Sequence, residues 1–373
     1  CTKDGPSGLI IRPAPLVSSA IINSGAFMSD PLNDEILDLG DMDFDAFNDY
    51  AIAQGWSDGM PMVPPTEAKV AACVATCHGD NSPFPPMSPR LVLPTLDTIA
   101  ANAVMAGCKP EYFPAVVAAV RAILNPDYNL HGTLATTHPC APMIMVNGPA
   151  RMTMEINCGS NCFGQGWRAN ASIGRALMLT MMNVGGGKPG DMDRSTQGSP
   201  AKYSFCFGEN EEESPWDPYH VRRGFKAEDS VVTLLPAEPP HNVNDHGSTT
   251  GEGLLQTIAG SISQTGANTI YGSAPFVVAI GPEHAATMKR DGWTVPAIQE
   301  KLHHDSATPV ERVSKENQKN YEERGQVIQN GRYYHSRTPE DIQIVVAGGP
   351  GKHSAVIPTF GFTEACSERL PIR

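Results

Sequence analysis

Ser230-Val231-Val232-Thr233-Leu234-Leu235-Pro236, then His241-Asn242-Val243-Asn244-Asp245-His246-Gly247-Ser248, then Thr249-Thr250-Gly251-Glu252 is the run that decides how this chain folds. Its first six residues are mostly apolar and β-branched and stop at a proline, the pattern of a buried strand. Thr249 to Glu252 has capping-box spacing, and Leu254, Leu255, Ile258 and Ile262 recur at helical intervals, which predicts a helix from near Thr250. Two histidines and an aspartate are thus expected on a loop between a strand's C-terminal end and a helix N-terminus. Open α/β sheets bind ligands there, because the helix offers unpaired N–H groups and the positive end of its dipole. The competing reading is a helix cap and a solvated histidine.

Working outward, similar apolar runs predict strands at Met143 to Val146, Tyr203 to Phe207, Phe276 to Ile280 and Ile342 to Ala347. Helices are expected at Phe44 to Trp56, after Thr66, at Thr95 to Cys108, Glu111 to Leu124 and Arg168 to Met182, and from Pro282. The fold class is therefore α/β, with a mixed or parallel sheet of several short buried strands flanked by helices. Gly148-Pro149, Gly281-Pro282 and Gly349-Pro350 each follow a strand, which suggests related strand-to-loop units on one sheet. Residues 1–42 read as an extended N-terminal arm suited to a neighbouring subunit, hence a homo-oligomer. Residues 43–373 read as one large α/β catalytic domain, or two intimately packed halves dividing near 190–200.

Composition narrows the classes. A net charge of -13 disfavours a nucleic-acid surface, and no apolar run approaches the length of a membrane span, so neither partner is expected. Nine scattered cysteines do not make a disulfide framework and fit a reduced, cytoplasmic setting. Cys1 reads either as a nucleophile exposed by processing or as a trimmed end. Gly185-Gly186-Gly187-Lys188 follows a helix and Gly348 to Lys352 is too short for a phosphate loop, so no nucleotide or flavin signature is present.

The candidate chemistry lies in loops at expected strand ends. His138, Glu209, Glu211, His241, Asp245 and His246 offer imidazole and carboxylate for acid–base catalysis near neutral pH. Asn147, Arg168, Asn170, Lys352, His353 and Ser354 are the candidates to hold a small, anionic substrate. His138, His241 and His246 could instead ligate a divalent metal ion that activates water. Cys140, next to His138-Pro139, and Cys206 are the candidate nucleophiles for thiol chemistry.

Gly55-Trp56-Ser57-Asp58-Gly59-Met60-Pro61, Thr136-Thr137-His138-Pro139, Arg168-Ala169-Asn170-Ala171, Glu209-Asn210-Glu211-Glu212, His241 to Ser248, Gly281-Pro282-Glu283-His284 and Gly348-Gly349-Pro350 with His353-Ser354 together resemble a bacterial family associated with UGSC-type (seleno)proteins, loosely labelled thioredoxin- or thiol-disulfide-isomerase-like. The likeness spans about residues 43 to 373, and this chain lacks the UGSC motif itself. It implies a UGSC-type partner subunit for a thiol-dependent oxidoreductase. The leading expectation is a soluble hydrolase or lyase acting on a small molecule; a non-catalytic assembly protein is the remaining alternative.

Overall fold

The computed structural model describes residues 42–371 apart from 78, 79, 81 and 273, together with an antiparallel pairing of Leu9–Ile10 with Ile36–Leu37. The rest of the expected N-terminal arm lies outside the described residues. Eight strands carry the core: β1 (Ala141–Asn147), β2 (Cys206–Gly208), β3 (Val231–Ala237), β4 (His241–Asn244), β5 (Phe276–Ile280), β6 (Ile342–Val346), β7 (His353–Ile357) and β8 (Cys366–Arg369).

They form two four-stranded mixed sheets, ordered β8-β3-β1-β2 and β6-β5-β7-β4, not the single sheet suggested by the sequence. The alternation of each strand explains why. Met143 and Met145 of β1 face one way, where Phe207 and Leu235 join Val277, Ala279, Val345 and Ile357 of the other sheet in a shared core. Ile144 and Val146 face the opposite way, into helices. Phe276, Val278 and Ile280 of β5, with Ile342, Ile344 and Val346 of β6, face a second helical layer. Strands buried on both faces read as continuous apolar runs, and such runs do not say which sheet they join.

The outer layers are α1 (Phe44–Ala53), α2 (Glu67–Ala75), α3 (Leu96–Met105), α4 (Phe113–Ile123) and α5 (Arg168–Thr180) on the first sheet, and α6 (Gly251–Ile262), α7 (Pro282–Arg290) and α8 (Val295–Asp305) on the second. Helix starts follow the expected chemistry: Thr66, Thr95 and Thr250 side chains accept the N–H groups of Lys69, Thr98 and Gly253. In the polar segment between 300 and 340, α9 (Lys315–Glu323) and two short strands, Thr308–Pro309 and Arg332–Tyr333, close over Ile270, Val313, Tyr321 and Tyr333.

The two sheets repeat one plan. A central strand (β1, β5) pairs in parallel with the next strand (β2, β6) and antiparallel with the third (β3, β7). A helix packs on the third and fourth strands of each sheet, α4 on β3 and β8, α6 on β7 and β4. The fourth strands are exchanged: β4 follows β3 but pairs with β7, and β8 follows β7 but pairs with β3. The chain passes from one sheet to the other between Ala237 and His241, well beyond residues 190–200.

The Gly-Pro steps have a common physical cause. A Cβ on Gly148 would meet the Asp229 carbonyl, one on Gly281 the His353 carbonyl, and one on Gly349 the Ser160 hydroxyl. Only glycine lets the chain turn that close to its neighbour.

Candidate functional site

The C-terminal ends of β2 and β6 meet: the Asn210 N–H donates to the Val346 carbonyl (2.8 Å) and its side chain to the Gly348 carbonyl (3.1 Å). Around this junction lie two distinct clusters.

The first lines a cavity of about 580 Å³ bounded by Ala279, Gly281, the turn from Ala347 to Gly351, His353, Ser354, Asn242 and the Ser160 to Gly164 loop of the other half. His353 and His246 approach Nε2 to Nε2 at 3.3 Å, and His353 Nδ1 lies 2.9 Å from Asn242 Oδ1. An amide oxygen only accepts, so Nδ1 of His353 carries the proton and, in the neutral ring, Nε2 accepts from His246. Behind them the buried His284 sets its Nε2 on the Asp245 carbonyl (3.2 Å) and its Nδ1 on Ser354 Oγ (2.8 Å), which itself accepts from the Gly281 N–H. Since the carbonyl only accepts, His284 Nε2–H donates and Nδ1 takes the Ser354 hydroxyl proton's hydrogen bond. Burial pushes the His284 pKa down, so this ring stays neutral. Burial opposes ionisation of Asp245, yet donors from the Thr257 hydroxyl and the Ser248 and Gly247 N–H groups hold its carboxyl down to about 2.

The second cluster fills the ends of β1 and β2. Asn147 Nδ2 donates to Glu209 and to Glu211 Oε1 (3.0 Å), and the Gly148 N–H donates to Glu211 (2.7 Å). Arg151 grips Glu212 through both terminal nitrogens (3.1 and 2.7 Å), and Arg222 stands 3.9 Å from Glu209. Burial pushes the Glu209 pKa up to about 7 against the pull of the Tyr219 N–H, Arg222 and Asn147. Glu209 Oε1, Asn147 Oδ1 and both ring nitrogens of the fully buried His220 find no hydrogen-bond partner among the described residues.

The structure thus gathers Asp245, His246, Lys352, His353 and Ser354 at one place and Asn147, Glu209 and Glu211 at the adjoining one. Lys352 Nζ donates to the His246 carbonyl (3.4 Å). His241 sits on β4 itself rather than in a loop, exposed and paired with Val356, away from the end that carries Asn244 and His353. His138 stands before the start of β1, at the opposite end of the sheets, with Nε2 2.7 Å from Glu238. His138, His241 and His246 are therefore not grouped, and among the described residues no three His, Cys, Asp or Glu side chains gather as a metal site. Arg168 donates to the Gly107 carbonyl (3.0 Å), and the buried Asn170 braces the Asn157 and Cys162 carbonyls. Cys140 and Cys206 are buried, and burial raises both thiol pKa values, that of Cys140 to about 12.

Comparison with protein-family models, curated proteins and solved structures returns no match. The geometry alone carries the functional reading. No helix among the described residues is long and apolar enough to cross a membrane.

Arg151, His220 and Arg222 join these clusters without having stood out in the sequence, and Asn242 and the cavity thiol Cys162 join them as well. Asn242 and Asn244 alternate along β4, the one signal there of a strand with a polar face. Burial pushes the Cys162 thiol up to about 12, with nearby Cys158 adding to the rise.

Proposed function

We propose that this chain is an enzyme acting on a small, anionic organic substrate bound in the strand-end cavity, with hydrolase or lyase-type chemistry. The observation that carries the reading is His353 on the wall of that cavity, its tautomer fixed by Asn242 and its Nε2 3.3 Å from His246, which stands outside the lining. His353 is the acid–base group: a substrate entering from the cavity takes the place of His246 at Nε2 and exchanges a proton there. His246 is then free to receive or supply that proton in turn. Among the described residues no carboxylate lines the cavity, while the Lys352 ammonium stands beside it on the His246 carbonyl, which favours an anionic substrate.

The test works without a known substrate. Wild-type protein and His353→Gln are each incubated with a pool of small organic acids and their esters and amides, and depletion is followed by mass spectrometry. A compound consumed by the wild type and spared by the variant supports the reading; no consumption, or equal consumption by both, sinks it.

A further inference from the structure

A second cavity, of about 620 Å³, lies at the opposite end of the sheets, between the loop holding Thr137 and His138, the Phe360 to Phe362 turn and α9. We infer that it is a binding site for an anionic aromatic small molecule, separate from the acid–base site.

One face of α9 and its end supplies Asn317, Asn320, Tyr321 and Arg324 to this cavity, a spacing of three and four residues. The Arg324 guanidinium lies 4.2 Å over the Tyr271 ring, and among the described residues no carboxylate pairs with it. Its stacked face is therefore fixed while its N–H edge is free, the arrangement that suits a planar carboxylate or phosphate. Among the described residues no Asp or Glu lines the cavity to compete for that charge. Tyr271, Tyr321, Phe360 and Phe362 supply ring surface for a flat apolar body.

Two further features point to a ligand. Phe362 is 65% exposed at the rim and holds a backbone φ of +64°, a conformation that costs a bulky residue energy and is retained only where the surroundings impose it. In the wall, His138 gives its Nε2 to Glu238 and leaves Nδ1 buried without a partner among the described residues. In the neutral ring, with Nε2–H on Glu238, that nitrogen is an acceptor left unpaired behind the cavity wall.

The test is calorimetric titration of the full chain with indole-3-carboxylate, using indole-3-carboxamide as the neutral isostere. Saturable binding of one carboxylate per chain is expected, weakened by at least about tenfold in Arg324→Ala and in the carboxamide, since one charge-assisted contact is worth about that factor. Arg324 is exposed, so its replacement leaves the fold intact, and Phe362→Ala serves as a second variant that removes ring surface. His353→Gln should bind like the wild type. The inference fails if no saturation occurs at millimolar concentrations, if Arg324→Ala and the carboxamide bind unchanged, or if His353→Gln abolishes binding instead.

Discussion

Just past β2, Glu209 donates its N–H to the end of β1, and just past β6, Ala347 does the same to the end of β5. The two positions correspond in topology, yet one side chain is a buried carboxyl and the other a methyl group. Around Glu209 the chain has closed a charged network with arginines from two directions. Around Ala347 it has left a cavity and placed His353 on its wall, with His246 against that ring. The difference teaches that the repeated strand plan sets where a site can form, while the residue directly after the edge strand decides whether that place is sealed or open. The same contrast separates groups that stabilise from the groups we propose to react.

The sharpest way to break the contrast is His353→Gln. Turnover of the substrate found by depletion screening should drop by roughly 10²- to 10⁴-fold with the melting temperature unchanged. A large loss of stability would instead put His353 with the structural group. Next in size is Arg151→Ala, which removes a buried guanidinium and leaves half-buried Glu211 and exposed Glu212 without their cation; urea unfolding should show a loss of about 3 kcal/mol. Glu209→Gln follows. In the folded chain Glu209 keeps its proton up to about pH 7, against 4.5 ordinarily. The raised value favours folding fully below about pH 4.5, and this advantage is lost as pH rises through 7. Wild-type stability should therefore fall relative to Glu209→Gln across that window, by on the order of 2–3 kcal/mol, read from melts at successive pH values. The smallest effect is expected from Cys140→Ala combined with Cys206→Ala: turnover unchanged, with only a modest drop in melting temperature. Lost turnover in a folded double variant would revive thiol chemistry.

Much of this contrast is legible in the sequence, though unevenly. Phe276–Ile280 and the start of the helix after Thr250 follow directly from apolar runs and a capping threonine. β4 is hidden because only Val243 of its four residues is buried, so no alternation of apolar residues marks it. β7 begins with the polar His353-Ser354, which reads as the tail of a glycine-rich loop. The junction of Asp245 with Lys352, His353 and Ser354 depends on that concealed pairing of β4 with β7. His138 misleads for a related reason: sequence marks a residue as next to a strand but does not say at which end of a neighbouring sheet it will lie. His220 and Arg222 offer no sequence signal, since their role arises from burial beside Glu209.

The exchanged fourth strands bear on how the chain comes to be folded during synthesis. Cys366 pairs with Leu234, so the first sheet keeps a bare edge until the segment around residue 366, more than 130 residues after β3 begins, has left the ribosome. Closing such a distant pairing is slow, and an open edge invites pairing with another nascent copy. Ribosome-bound chains halted before residue 366 should therefore be protease-sensitive in both sheets, and protection should arrive late and together.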